Sequence, residues 1–290
     1  MLNVPAHVKI YFPQGSGTVK GAIQIIHSFF EDRKTYDMFA KYLSSCGYAV
    51  IISDLRGHGS NTKSFSDIGY IGDNGAQNLV SDIHDITKMI TERFPDKPYF
   101  IIGQGIGALI AISYLKKYDY FADGFFFSDI PVKSPSLSIR LKSFILQLFR
   151  GDYYRSEKIQ KNLFGRQYIS EDQYTEHRYT GLKLTNEKMN IYTLNACNTY
   201  ISLFDHAYRV GSWIKKQTDI PIRIIYDRSN SSIKDKNRTD KVTDLLREQG
   251  YDNIQIKLAR SGSDNILTDP SCQSICKYIV EEMSHVEKRI

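Results

Sequence analysis

The run Tyr99-Phe100-Ile101-Ile102-Gly103-Gln104-Gly105-Ile106-Gly107-Ala108-Leu109-Ile110-Ala111 constrains this chain more than any other stretch. It is apolar, is broken by three glycines at alternate positions, and then resumes as an apolar segment with helix-compatible residues. A buried strand, a very sharp turn and a helix fit that pattern, because glycine accepts turn geometry in which a Cβ would clash. Residues 99–115 are apolar enough to suggest a membrane span. Gln104 and the glycines at the centre, without anchoring flanks, favour the strand, turn and helix instead.

The rest of the chain alternates between the same two kinds of element. Residues 8–12 predict a first strand, 15–17 a hairpin turn, and 20–26 a second strand ending at His27. After a polar and aromatic loop at 28–34, residues 36–46 have helical spacing with Met38, Phe39, Tyr42 and Leu43 on one side. Residues 48–53 are rich in β-formers and run into the tight turn Asp54-Leu55-Arg56-Gly57-His58-Gly59-Ser60. Leu79, Ile83, Ile86, Met89 and Ile90 mark an amphipathic helix over 75–94, stopped by Pro95. A strand at 124–128 follows the glycine-rich segment and its helix. Strands alternating with helices predict a mostly parallel sheet with helices on both faces and ligands at the strands' C-terminal ends.

The pattern changes at Pro131. Residues 133–213 hold helix-like segments and aromatic loops, and β character resumes at 221–226 and 253–259, with helices at 240–249 and 271–287. We read residues 132–215 as a helical cap inserted between two parts of one sheet domain, 1–131 and 216–290. Within the cap Leu137, Leu141, Phe144, Ile145 and Leu148 form an apolar stripe accompanied by Arg140, Lys142 and Arg150. A stripe of this kind packs over a core or its pocket; with basic flanks it also suits peripheral contact with a membrane surface.

Composition narrows the function classes. At 290 residues and 41% apolar content the chain can bury a sizeable core. The net charge of +6 is modest, the basic residues are interspersed with acidic ones, and the tyrosines are dispersed, which speaks against nucleic-acid binding. Cys46, Cys197, Cys272 and Cys276 make no zinc-type pair of pairs, and Cys272 and Cys276 read as two packed thiols on one helix face. Met1-Leu2-Asn3-Val4-Pro5 lacks a basic region followed by an apolar one, so a cytoplasmic protein with free thiols is expected. No metal or organic cofactor is called for.

Taken together, these residues resemble the α/β-hydrolase fold, and within it the monoacylglycerol lipase and lysophospholipase group known as serine aminopeptidase S33. The resemblance covers nearly the whole chain. It rests on Gln24-Ile25-Ile26-His27-Ser28 with Tyr36, on Asp54-Leu55-Arg56-Gly57-His58-Gly59-Ser60, on Gly69-Tyr70 and Asp82-Ile83, and on Gly103 to Gly107. Ile266-Leu267 and the closing helix match the end of the family pattern. The resemblance implies a nucleophile elbow, G-x-S-x-G, with a serine in strained backbone geometry, a histidine base, an aspartate that orients it, and backbone N–H donors around an oxyanion.

Carried over residue by residue, each side-chain role fails. The serine position is Gly105, the acid position falls on Asn230, and the histidine position, just before Ile266-Leu267, falls on Asp264. None of the seven histidines lies between the last strand and the last helix. Ser28 stands where the oxyanion loop has a glycine, with the bulky Phe29 and Phe30 after it. Position 105 offers no oxygen or sulfur, so no acyl-enzyme forms there. These departures imply a lysophospholipase-like or monoacylglycerol lipase-like homologue that has lost its triad. Its binding residues are expected at His27, Ser28, Phe29, Gln104 and Ile106, beside an apolar pocket for a fatty-acyl or monoacylglycerol-like molecule.

Two other readings stay open. One is an ester hydrolase with relocated chemistry, drawing on Ser28, Ser128, Asp129, Asp264 and His27 or His58. The other is a protein-interaction module with an unknown partner. A pocket plugged by Phe29, Phe30 or cap aromatics favours the module, and an open apolar tunnel favours the ligand binder.

Overall fold

The computed structural model describes residues 5–13, 18–165, 191–211, 213–227, 236–259, 265–269 and 273–288. Its strands are β1 (Val8–Tyr11), β2 (Gly21–Ile26), β3 (Tyr48–Ser53), β4 (Tyr99–Gln104), β5 (Gly124–Ser128), β6 (Ile222–Asp227) and β7 (Ile254–Ala259). They form one sheet in the order β1-β3-β2-β4-β5-β6-β7, with β1 antiparallel to β3 and every other pair parallel. β2 to β5 are buried along their whole length. That explains why Ala22-Ile23-Gln24-Ile25-Ile26 and Tyr99-Phe100-Ile101-Ile102 read as almost unbroken apolar runs, as strands covered on both faces do.

The helices are α1 (Asp37–Ser45), α2 (Gly75–Arg93), α3 (Ile106–Tyr118), α4 (Leu137–Arg150), α5 (Glu157–Phe164), α6 (Leu194–Tyr208), α7 (Lys236–Glu248) and α8 (Gln273–Glu287). Two apolar clusters sandwich the sheet. One gathers Leu79 and Ile83 of α2, Leu109 and Ile112 of α3, and Leu203 and Phe204 of α6 against Phe125, Phe127 and Ile224. The other gathers Phe39 and Leu43 of α1 and Ile279 and Met283 of α8 against Ile25, Ile52, Ile102 and Ile225. This is the α/β-hydrolase architecture anticipated above, with a cap-like helical region after β5.

α6 is rooted in the sheet's own core. Its N-cap Thr193 accepts from the Ala196 N–H at 3.2 Å and donates to the Gly69 carbonyl. Asn195 Oδ1 accepts from the N–H groups of Ile71 and Gly72 at 2.8 and 3.1 Å. At the other end the buried Lys116 of α3 donates from Nζ to the carbonyls of His206 and Arg209 at 2.6 and 2.9 Å. Carbonyls in a helix's last turn lack intrahelical partners, and a cation there also suits the helix dipole. Burial lowers the Lys116 pKa to about 8.

Three expectations need correction. β1 pairs with β3 and not with β2, so the 15–17 segment does not close a β1–β2 hairpin; of that segment itself, residues 14–17 lie outside the described residues. Met38 is exposed, because α1 buries Phe39, Ala40, Leu43 and Ser44 instead. The α4 stripe does not pack inward. α4 meets α5 and α6 through Ile139, Ser143 and Leu146, and Leu137, Leu141, Phe144, Ile145 and Leu148 are all exposed. The inward face carries a serine and an isoleucine that fit a close helix contact, so the larger side chains lie on the other side.

Candidate functional site at the β4 elbow

The strand order reverses between β2 and β4, and the pairing of Ile26 with Gly103 brings the ends of those strands together. Loops diverge at such a point and leave a crevice at the strands' C-terminal ends. His27 and Ser28 leave β2 there, and Gly105 leaves β4.

Gly105 has φ 55° and ψ −118°, a conformation natural to glycine and strained for other residues. Its N–H donates to the Ser128 carbonyl at 2.8 Å. The neighbouring glycines are required by close approach. A Cβ at 103 would stand 2.6 Å from the Gly107 carbonyl oxygen, and one at 107 would stand 2.7 Å from the His27 carbonyl oxygen. The sharp turn expected at this segment is therefore present, with no side chain at its apex.

The space beside that apex is occupied. Ser28 Oγ accepts the Ile106 N–H at 3.1 Å, and a Cβ placed on Gly105 would lie 2.7 Å from the same oxygen. The N–H after the elbow residue is one of the donors that an oxyanion hole needs. Here a serine of the chain itself fills that donor's acceptor position.

His27 is fully engaged by backbone. Its Nε2 accepts the Leu55 N–H at 2.9 Å, which places the proton on Nδ1, and Nδ1 donates to the Ser28 carbonyl at 2.6 Å. Burial pushes its pKa below the ordinary histidine value, against the pull of the Ser28 carbonyl and nearby carboxylates. His58 uses Nδ1 on the Arg56 carbonyl at 2.7 Å and packs edge-on to His27. Neither imidazole bonds to Ser28 Oγ.

Glu31, which the sequence did not single out, organises the loop. Its Oε2 accepts from the Ser28 N–H at 2.9 Å and from the Tyr36 hydroxyl at 2.6 Å, and its Oε1 accepts from Asn265 Nδ2 at 2.8 Å. Asn265 Nδ2 also reaches the Tyr36 hydroxyl at 3.0 Å. The segment before α8 is thereby tied to the oxyanion loop. Asn265 immediately follows Asp264; Asp264 and Asn230 themselves lie outside the described residues, as does Cys272.

Behind the elbow, buried Gln104 donates from Nε2 to Asp129 Oδ2 at 3.0 Å, holding a residue whose φ is 47°. Gln104 Oε1 and Ser128 Oγ have no hydrogen-bond partner among the described residues. The loop after β2 also carries an aromatic cluster. Phe30, with φ 64°, stacks on Tyr192 at 4.2 Å between centroids, and its N–H donates to the Tyr192 hydroxyl at 2.7 Å. Phe164 of α5 meets Phe30 at 5.2 Å and Phe29 at 6.4 Å. Phe29 also packs against His58 and Tyr192. Sequence reasoning pointed to Phe29 and Phe30 but not to Phe164 or Tyr192, since nothing local marks a contact across so many residues.

Among the described residues no group of three or more His, Cys, Asp or Glu is placed to hold a metal ion, and no helix is long and apolar enough to cross a membrane. Cys46 and Cys197 are free thiols, and burial pushes Cys197 up to about 12.

The sheet, its crossover and the strand, turn and helix at β4 define an α/β-hydrolase, and solved structures of that class superimpose along nearly the whole chain. A thermostable carboxyl esterase from Bacillus coagulans gives a TM-score of 0.74 at 17% identity, covering 97% of this chain and 94% of that one. A monoglyceride lipase from Saccharomyces cerevisiae, solved with a substrate analogue, gives 0.69 at 14%, covering 96% and 91%. The monoacylglycerol lipase of Paleococcus ferrophilus gives 0.66 at 15%, covering 96% and 98%. A family model for serine aminopeptidase, S33, matches residues 17–219, and the chain belongs to that family. A probable alcohol acetyltransferase from Cyberlindnera fabianii is 27% identical over 125 residues, which is 42% of this chain and 31% of that protein's length.

Proposed function

We propose that this chain is a lipase- and esterase-like S33 homologue that does not hydrolyse esters and acts by binding. The observation that carries this reading is the pair of Gly105 and Ser28: the elbow apex has no nucleophile, and the Ile106 N–H is already satisfied. Removing triad members from a working protease leaves about 10³ to 10⁴-fold catalysis over water through the oxyanion hole and binding. Loss of one oxyanion donor lowers turnover by about 10² to 10³. An occupied donor takes away most of what a missing triad would leave.

The relatives' names suggest a fatty-acyl or monoacylglycerol-like molecule as the ligand class. Phe29 and Phe30 are buried and pack on Phe164 and Tyr192, which favours the interaction-module version of this reading. Relocated chemistry is the weaker reading. Ser28 Oγ is held by a backbone donor, Ser128 is buried in its strand, and both nitrogens of His27 are bonded to backbone.

Purified protein incubated with p-nitrophenyl esters, monoacylglycerols and a fluorophosphonate probe is expected to show no turnover above buffer and no adduct. Covalent labelling of any serine, Ser28 above all, overturns the proposal. The companion experiment combines Gly105→Ser, Asn230→Asp and Asp264→His with Ser28→Gly. Esterase activity that appears only when Ser28 is also replaced supports the occupied donor; activity from the three substitutions alone counts against it.

A further inference from the structure

We propose that β7 pairs with the β7 of a second copy of this chain, antiparallel and about a two-fold axis at Ile256, so that the two sheets run on as one. The proposal is independent of whether the elbow is silent. The two edges of the sheet differ. β1 is four residues long, and its Lys9 and Tyr11 both bond to the Asp37 carboxylate. β7 is six residues long, and Gln255, Ile256, Lys257 and Leu258 are exposed in succession. Among the described residues no strand lies beyond it. Sheets commonly guard such an edge with charge, proline or a bulge, because its open N–H and C=O groups are a template for another strand. The one charged residue of β7 is Lys257, and its ammonium lies 4.9 Å from the centre of the Tyr278 ring, turned back onto α8. Ile256 and Leu258, 43% and 41% exposed, stand on the other face.

Pairing with β6 fixes what the open edge offers. The Ile222 N–H donates to the Asn253 carbonyl at 2.9 Å, and Ile222 is in register with Ile254. Alternate residues of a strand turn both backbone groups to the same side, so Asn253, Gln255, Lys257 and Ala259 bond toward β6 while Ile254, Ile256 and Leu258 turn theirs outward. The Ile254 N–H is used by the Asp252 carbonyl at 2.8 Å, which leaves its own carbonyl on offer. A two-fold at Ile256 sets Ile256 opposite its own copy and Ile254 opposite Leu258 of the second copy. The two Ile256 residues then exchange both of their bonds, and each Leu258 N–H meets the other copy's Ile254 carbonyl. One face of the junction is apolar against apolar throughout, and on the other Lys257 stands opposite Gln255. An axis one residue later would set Lys257 against Lys257, and like charges directly opposite destabilise a strand pair. An axis one residue earlier would leave Leu258 without an apolar partner. The strand's own order therefore selects a second copy, in one register, as its occupant.

Sedimentation velocity and cross-linking test this. The intact protein is expected to sediment as a dimer that dissociates on dilution. Ile256→Lys sets two ammonium groups against each other at the axis and is expected to weaken the dimer at least about tenfold. The side chain is exposed, so the unfolding midpoint of the dilute variant in urea should stay near that of the dilute parent. Gln255→Glu places a carboxylate opposite Lys257 on both sides of the axis and should tighten the dimer at least about twofold. The register is read by cysteines. Ile256→Cys brings two thiols to backbone positions about 5.5 Å apart, within the span of a disulfide, and should cross-link on mild oxidation. Leu258→Cys sets its two copies about 14 Å apart and should cross-link no more than the parent. A monomer at every concentration, a dimer indifferent to Ile256→Lys, or cross-linking by Leu258→Cys and not by Ile256→Cys overturns the proposal. So does a dimer that only Leu141→Glu/Phe144→Glu/Leu148→Glu dissociates, since α4 is then the junction.

Discussion

The loop after β3 and the turn after β4 lie at the same edge of the sheet, separated only by β2, and they are held in opposite ways. In the loop every key polar group works for the fold. Asp54, 3% exposed, accepts at Oδ1 from the Arg33 N–H at 2.8 Å and at Oδ2 from the Ser60 N–H and hydroxyl at 2.9 and 2.6 Å. Arg56 forks onto Asp82 through two bonds of 2.6 and 2.8 Å. The turn at Gly105 carries no side chain, and the one that reaches it, Ser28, comes from elsewhere. Residues that stabilise a loop remain useful when chemistry is lost, whereas a nucleophile in a strained turn costs stability and repays it only through turnover.

The largest effect should come from the loop. Asp54→Ala leaves two backbone N–H groups and Arg33 without their carboxylate and is expected to destabilise the protein by about 3–5 kcal/mol, read from urea unfolding. A loss no larger than that of a surface substitution would remove the contrast between the two regions.

At the elbow the change is smaller, and its origin can be isolated. Gly105→Ala and Gly105→Ser should each lose about 1–3 kcal/mol, because the Cβ is strained at φ 55° and meets Ser28. In a double-mutant cycle with Ser28→Gly, part of that loss should return as a coupling of about 0.5–3 kcal/mol. Strict additivity would mean that backbone strain alone sets the preference for glycine.

The smallest effect arises on the strand between the two regions, where His27, at the end of β2, accepts from the Leu55 N–H in the loop after β3. Its folded pKa lies below the unfolded value of 6.5, so the unfolded chain takes up the proton first as pH falls. Stability is full above 6.5 and declines as pH drops through the window beneath it. His84 and His206, also pushed down chiefly by burial, add slopes of the same sign. His27→Gln should flatten only its share of the fall in urea midpoint between about pH 7 and pH 5. An unchanged slope would show that the imidazole does not titrate against the Leu55 bond.

Most of the architecture was legible in the sequence. The strands at 20–26, 48–53, 99–104 and 124–128 announce themselves because burial on both faces demands continuous apolar runs, and the three alternate glycines announce the turn because backbone contact on both sides excludes a Cβ. Met38 was misplaced because helical spacing shows which residues share a side, while the neighbours decide how far round that side is covered. The α4 stripe was read correctly as a stripe and wrongly as a packed one: periodicity describes a face and says nothing of what lies opposite. Ser28 at the Ile106 N–H, Glu31 with Asn265, and Tyr192 beneath Phe30 depend on contacts between distant segments, which no local pattern records.

Lys116 gives the cap-like region an asymmetry. By gripping the end of α6 from within α3, it ties the last helix of that region to the helix that starts at the elbow. α6 is thereby fastened at both ends, by Thr193 and Asn195 to the loop before α2 and by a single ammonium to α3, whereas α4 is held where it packs on α5 and α6.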